Sequence, residues 1–187
     1  MLMTVLTAST LDQSELVEIQ RQSCMKHGIT PERYIAVPIA DSYPKHPSWF
    51  RIRALLDHLA HHDKILWMDT DAMMLKPCDF RIAPNTTVAM ARDHNGWNHG
   101  VAIWNNTPES REFLWRIYDS YSRYAQHEWH EQAAIHVLAE QMRVVEMQKC
   151  IFNAYEHEVT DKTCILHLPA RSKEDRLRIM RSYLNKS

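Results

Sequence analysis

The segment Lys64 to Met68 is short and continuously apolar after its lysine, and it runs straight into Asp69-Thr70-Asp71. A run of that kind, with no polar alternation, is a strand buried on both faces of a sheet. Such a sheet needs helices against it, which places the chain in the α/β class. The remaining sequence alternates to match. Met3 to Leu6 reads as a first strand, and Asp12 and Glu15 have capping-box spacing that opens a helix toward His27, with Gly28 to end it. Tyr34 to Ile39 is a second strand, stopped by Asp41-Ser42-Tyr43-Pro44. Ser48 is placed to cap a helix whose apolar residues Ile52, Leu55, Leu56 and Leu59 share one face. Val88 to Ala91 and Val101 to Trp104 are further strands. Thr107-Pro108-Glu109 is a strong helix start, followed by an apolar face of Phe113, Leu114, Ile117, Tyr118 and Tyr121. Glu131 to Glu140 is another helix, and Arg143 to Met147 and Cys164 to Leu168 are the last strands. A basic stretch from Arg171 to Lys186 follows, read as a solvated amphipathic helix.

Composition removes several function classes. Lys and Arg number 22 against 23 Asp and Glu, so the net charge of -1 argues against a dedicated nucleic-acid binder. Only three glycines occur among 187 residues, and neither GxGxxG nor GxxxxGK[ST] is present, so any nucleotide must be held without those loops. No apolar run approaches the roughly 18–20 residues that span a bilayer. The apolar start, Met1 to Thr10, has no positively charged flank, so neither a signal peptide nor a membrane anchor is expected and a cytoplasmic location is. The four cysteines, Cys24, Cys78, Cys150 and Cys164, are far apart and form no CxxC, which disfavours a structural zinc site and suits reduced thiols.

The chemistry concentrates at Asp-x-Asp. Strand alternation points Asp69 and Asp71 to the same face, at the C-terminal edge where open α/β sheets bind ligands. Two carboxylates there repel unless a cation or donor lies between them. Mg²⁺ or Mn²⁺ fits that need and bridges naturally to a diphosphate. The plainer reading is a pair of turn-forming aspartates closing a strand.

The motifs around this pair come in a recognisable order. Ser48-Trp49-Phe50-Arg51-Ile52 precedes the strand. Asn98-His99-Gly100-Val101-Ala102-Ile103-Trp104-Asn105-Asn106 follows it by about thirty residues, and then come Glu131-Gln132, Phe152-Asn153-Ala154-Tyr155 and Ile165-Leu166-His167. Over roughly residues 48 to 168 this order resembles the metal-dependent GT-A glycosyltransferases. It is most like the galactosyl/xylosyltransferase family of the yeast mannan and plant xyloglucan type, glycosyltransferase family 34. The resemblance implies a compact GT-A, Rossmann-like mixed sheet flanked by helices over residues 1–170, with residues 171–187 as a basic C-terminal helix or tail. It also implies a nucleotide-sugar donor, with UDP as carrier, bound Mn²⁺ or Mg²⁺, and transfer of a hexose or pentose with retention to a saccharide or other hydroxyl acceptor.

Residue by residue, Asp69, Asp71 and His167 match the metal ligands, and imidazole beside carboxylate suits Mn²⁺. Thr7, Ala8 and Ser9 match the segment that holds the nucleoside, with Thr70 beside the metal carboxylates. Arg51 stands where the family has lysine. Asn98, His99 and Gly100 match the segment near the donor sugar, where close backbone approach favours glycine. Glu131 and Gln132 match the acid and amide beside the reacting carbon, Glu131 as the candidate nucleophile and Gln132 as a dipole for a cationic sugar. The family pattern breaks after His167: Leu168-Pro169-Ala170-Arg171 replaces Phe-x-Gly, leaving Arg171 or Lys173 as candidate cations for the diphosphate. The anchor and stem of eukaryotic members are not expected here, and the chain resembles a compact bacterial or viral form. A homodimer is one way so short a domain could complete its acceptor side.

Two rival readings accompany this one. A metal-dependent phosphohydrolase or nucleotidyltransferase would use the same aspartates and want more carboxylates beside them, with Asp93 a candidate. A degenerate GT-A domain would bind a nucleotide-sugar or a partner without transfer. The twelve histidines raise a weaker alternative, a zinc-type site near His127 and His130. Trp97 and Trp129 flank the matched segments and serve either as packing or as sugar-stacking surfaces.

Overall fold

A computed structural model describes residues 3–186. Met1, Leu2 and Ser187, the outer ends of the two expected ranges, lie outside the described residues. Strands β1 (Thr4–Ser9), β2 (Tyr34–Pro38), β3 (Lys64–Met68), β5 (Val88–Asp93), β6 (Gly96–Asn105) and β7 (Val144–Met147) form a six-stranded sheet in the order β2-β1-β3-β6-β5-β7. β1 runs parallel to β2 and β3, β6 runs antiparallel to both its neighbours, and β5 pairs in parallel with β7. A second sheet holds only β4 (Ala72–Met74) and β8 (Ile165–His167), antiparallel. Around them lie α1 (Ser14–Lys26), α2 (Phe50–Leu59), α3 (Pro108–Asp119), α4 (Tyr121–Tyr124), α5 (His130–Ala139), α6 (Lys149–Phe152) and α7 (Lys173–Leu184). This is a mixed α/β sheet flanked by helices in one domain, the arrangement that the GT-A resemblance implies. Among the described residues, no helix is long and apolar enough to cross a membrane.

β3 is buried at every position, as its apolar run predicts. Ile65 and Trp67 join one core cluster with α2, α3 and α5, through Leu55, Phe113 and Ile135 among others. Leu66 and Met68 point the other way and pack with Val5, Tyr34 and Phe80. Truncating a side chain such as Leu66 to alanine costs roughly 2–5 kcal/mol in so central a place. A third cluster joins α1 to α7 and the small sheet through Leu16, Ile19, Met73, Leu166, Ile179 and Met180. The basic segment thus buries one stripe against α1.

Local signals held unevenly. Thr107 caps α3, its side chain accepting from the Ser110 amide at 3.1 Å. Gly28 closes α1 in a left-handed conformation, φ +94°. Ser48 is no cap: a 3₁₀ turn, Pro47–Trp49, precedes α2, and the His46 ring accepts from the Ser48 amide at 3.3 Å. Nor do Asp12 and Glu15 form a capping box. α1 begins at Ser14 after a 3₁₀ turn, Leu11–Gln13, and its first residues have no side-chain cap.

Two irregularities build the functional edge. The β5–β6 register steps from Met90↔Ala102 to Ala91↔Asn98, so His99, Gly100 and Val101 have no partner on β5. And β4 pairs with β8 with Ala72 opposite His167, while the Leu168 amide donates to the Asp71 carbonyl at 3.0 Å. These contacts carry His167 across about a hundred residues to the end of β3.

Candidate active site

β3 ends at Met68, and Asp69, Thr70 and Asp71 form a turn closed by the Ala72 amide on the Asp69 carbonyl, 2.9 Å. The two carboxylates converge through this turn and not through the strand alternation expected above. A turn reverses the backbone within three residues and erases the period-two rule. Gln20, fully buried on α1, pins the turn: its amide donates to the carbonyls of Asp69 at 2.6 Å and Ala72 at 2.8 Å. The Tyr34 hydroxyl donates to the Gln20 oxygen at 2.8 Å.

Asp69, Asp71 and His167 each present one ligand atom, and these atoms all lie within 4.8 Å of one another. Among the described residues, this is the one group of three or more His, Cys, Asp or Glu side chains close enough to share an ion. The donors, two carboxylates and an imidazole, suit Mn²⁺ or Mg²⁺. The space suits it too: a β-carbon on Gly100 would fall 2.3 Å from the His167 ring and 3.1 Å from Asp69 Oδ2. Glycine therefore keeps the floor of the cluster open.

Cations already surround the pair. Arg51 on α2 sits 3.2 Å from Asp69 Oδ1 and 3.2 Å from Glu131 Oε1, and its guanidinium donates to His99 Nδ1 at 2.7 Å. Arg176 on α7 lies 3.2 Å from Asp71 Oδ2, and His167 Nε2 lies 3.3 Å from Asp71 Oδ1. Burial pushes both aspartates toward protonation. For Asp71, His167 and Arg176 outweigh burial and hold its carboxyl below the usual range. For Asp69, burial aided by the Asp71 charge wins over Arg51, and its carboxyl is raised. Burial, then the Arg51 charge, holds His99 well below the ordinary histidine range, so it is neutral with its proton on Nε2.

Two cavities adjoin here. One, about 220 Å³, is lined by Ala8, Gln13, Arg51, Asp69, Thr70, Asp71 and Arg176 among others. The other, about 450 Å³, is lined by Asn98, Gln132, Tyr155, His157, His167 and Arg171 among others. Asp71 lines the first and His167 the second, 3.3 Å apart.

Most residues expected at the site stand near it, in differing postures. Ala8 and Thr70 line the smaller cavity, with Thr70 donating to Gln13 Oε1 at 3.3 Å. Thr7 is wholly buried with its hydroxyl unpartnered, and Ser9 gives its carbonyl to the Ile39 amide. Glu131 and Gln132 are neighbours on α5 yet diverge: Glu131 is buried against Arg51, and Gln132 faces the larger cavity. Asn98 spends its amide inside the protein, on Gly100, Asn153, Asp93 and Tyr155. Arg171 lines the larger cavity and pairs with Glu156 at 2.9 Å, and Lys173 bonds the Asp12 carbonyl. Arg176 is the cation at the aspartates instead. Its signal was present: from the Ser172 cap, Arg176 shares a helix face with Ile179 and Met180, which are buried. Gln20 and Gln13 carry no pattern that sequence reading could have caught. Asp93 is held by Asn98 and Tyr155 and stays outside the aspartate–histidine group, which removes the extra carboxylate the phosphohydrolase reading wanted. Trp97 is packed in the core, and half-exposed Trp129 lines neither cavity.

No protein-family model matches the chain, and no curated protein does. Solved structures do. A glycosyltransferase involved in glycosylation of the major capsid of PBCV-1 superposes with TM-score 0.73 at 15% identity, over 97% of this chain and 100% of that one. The glycosyltransferase GlyE of Streptococcus pneumoniae TIGR4 gives TM-score 0.73 at 15% identity, over 98% of this chain and 60% of the longer GlyE chain. The galactosyltransferase LgtC, solved with donor and acceptor sugar analogs, gives 0.65 at 11%, over 97% and 95%. At these identities the likeness establishes the fold.

Proposed function

We propose that the protein is a divalent-metal-dependent glycosyltransferase that uses a nucleotide-sugar, UDP-linked, and transfers a hexose or pentose to a hydroxyl acceptor. The observation that carries this reading is the Asp69–Asp71–His167 cluster, open above Gly100 and facing a cavity at the C-terminal end of β3. The three neighbours in fold named above are glycosyltransferases, which supports the reaction class.

Asp69, Asp71 and His167 would hold Mn²⁺ or Mg²⁺, which supplies Lewis-acid stabilisation of charge on a leaving diphosphate. Ala8, Gln13 and Thr70 wall the cavity on the side where the nucleoside is held. Arg176 and Arg51 set positive charge beside the aspartates, where a diphosphate develops negative charge. Glu131 holds Arg51 in place, and Gln132 is the member of the pair that meets the sugar, its amide dipole directed at a carbon becoming cationic. The larger cavity, with Tyr155 and His157 on its wall, receives the acceptor. With Glu131 committed to Arg51, retention would proceed by attack on the same face as the leaving group.

The test is calorimetric titration of the protein with UDP, with and without Mn²⁺, repeated on Asp71→Ala. Binding that needs both Mn²⁺ and Asp71, followed by release of sugar from a UDP-sugar, supports the reading. No binding of UDP or of GDP in either condition would overturn it.

A further inference from the structure

We infer that Asn98 and Asn153, anchored by the Gly100 amide and the Asp93 carboxylate, lock His167 in the tautomer that presents a bare Nε2 to the cation. The inference rests on reading the aspartate–histidine cluster as a metal site, and it concerns residues that act on the cation through His167.

The direction of each hydrogen bond follows from the two ends of the chain of contacts. The Gly100 backbone N–H can only donate, and it lies 3.0 Å from Asn98 Oδ1, so that atom is the amide oxygen. The Asn98 nitrogen then faces Asp93 Oδ2 at 2.8 Å, an acceptor that suits it. Asn153 approaches the Asn98 oxygen at 3.1 Å and must do so with its own nitrogen. Its oxygen is thereby turned to His167 Nδ1, 2.7 Å away. An oxygen there requires a proton on Nδ1, so Nε2 is the nitrogen whose lone pair is left for a cation. Nε2 is the atom that faces Asp71 Oδ1, at 3.3 Å.

The relay is secluded. Asn153 is fully buried, Asn98 and His167 are nearly so, and each carboxamide has every polar atom engaged. Tyr155 steadies the far end, its hydroxyl donating to Asp93 Oδ2 at 2.8 Å. A carboxamide whose two ends are both assigned cannot rotate without leaving two buried groups unpaired. Hydrogen bonds of this kind to the second ring nitrogen orient metal-binding histidines, and losing one costs about 10–100-fold in metal affinity. Asp93, Asn98 and Asn153 are positioning residues in this scheme.

The experiment reads the tautomer directly. Nitrogen-15 NMR of the metal-free protein, with the His167 signals identified by their loss in His167→Gln, is expected to show the proton on Nδ1. Mn²⁺ titration is expected to weaken by about 10–100-fold in Asn153→Ala and to recover most of that loss in Asn153→Asp, which keeps an acceptor facing Nδ1. Circular dichroism checks that each variant is folded. A bare Nδ1 in the wild-type protein overturns the relay, as does Mn²⁺ binding unchanged in a folded Asn153→Ala, or no Mn²⁺ binding by the wild type. The Nδ1 tautomer and Mn²⁺ binding without UDP binding would leave the relay standing and remove the transferase reading instead.

Discussion

Gly100 lies directly against the imidazole of His167: a β-carbon built on it would stand 2.3 Å from Cε1 and 2.7 Å from Nε2. Both distances are far inside van der Waals contact, and the ring is held by Asn153 and cannot simply swing away. Gly100→Ala is therefore expected to displace His167 and to lower Mn²⁺ affinity by at least about tenfold. The crowding also costs roughly 1–3 kcal/mol of stability. Mn²⁺ titration and thermal denaturation of the variant check both.

Among the described residues, Arg51 is the cation paired with the buried Glu131 carboxylate, and it serves Asp69 as well. Removing one partner of a buried pair costs about 3–5 kcal/mol. Arg51→Met is expected to lose about that much in urea denaturation, and Arg51→Met with Glu131→Gln to recover part of it. Equal losses in the single and double variants would show that the pair is not coupled.

Asp93 gives a pH signature. Burial pushes its carboxyl up, but hydrogen bonds from Asn98, Tyr155 and the Asn95 amide outweigh this and hold it below the usual range. A carboxyl depressed in the folded state adds stability that is full above its unfolded value and is lost as pH falls through the folded one. Asp93→Asn is therefore expected to be less stable at neutral pH, on the order of 1 kcal/mol. The difference should close as pH falls below about 3.9. Thermal melts of both proteins from pH 7 to pH 3 measure it.

The four thiols should react unequally. All are free, and burial pushes Cys24 up to about 12 and raises Cys78 further. Cys150 is the exposed one. A thiol reagent at pH 7.5 is expected to label Cys150 rapidly in the native protein and Cys24 only on unfolding, read by mass spectrometry of peptides. Early labelling of Cys24 would contradict the packing around it.

The α/β class was legible because β3 has the composition of a strand buried twice over, and the residues on its two faces do enter two different clusters. The helix at Thr107 was legible because its cap, proline and acid are local in sequence. β4 was not: three residues, Ala72 to Met74, are too few to show a period, and their pairing depends on β8, ninety residues away. Ser48 and the Asp12–Glu15 pair show the opposite failure, since short 3₁₀ turns took the positions where local rules put caps.

The site divides along the same line. Residue types and order along the chain determined that two carboxylates close a buried strand and that a histidine returns near the C-terminus. Tertiary structure decided how they meet. The turn after Met68 brings Asp69 and Asp71 together, the register step in β6 turns Gly100 under them, and pairing of Ala72 with His167 delivers the imidazole. It also decided that Arg176 and not Arg171 faces the aspartates, because the packing of α7 on α1 fixes which helix face points inward. Periodicity and capping act within a few residues of one another. The hydrogen bonds and burial that aim a side chain come from segments the chain brings together only when it folds.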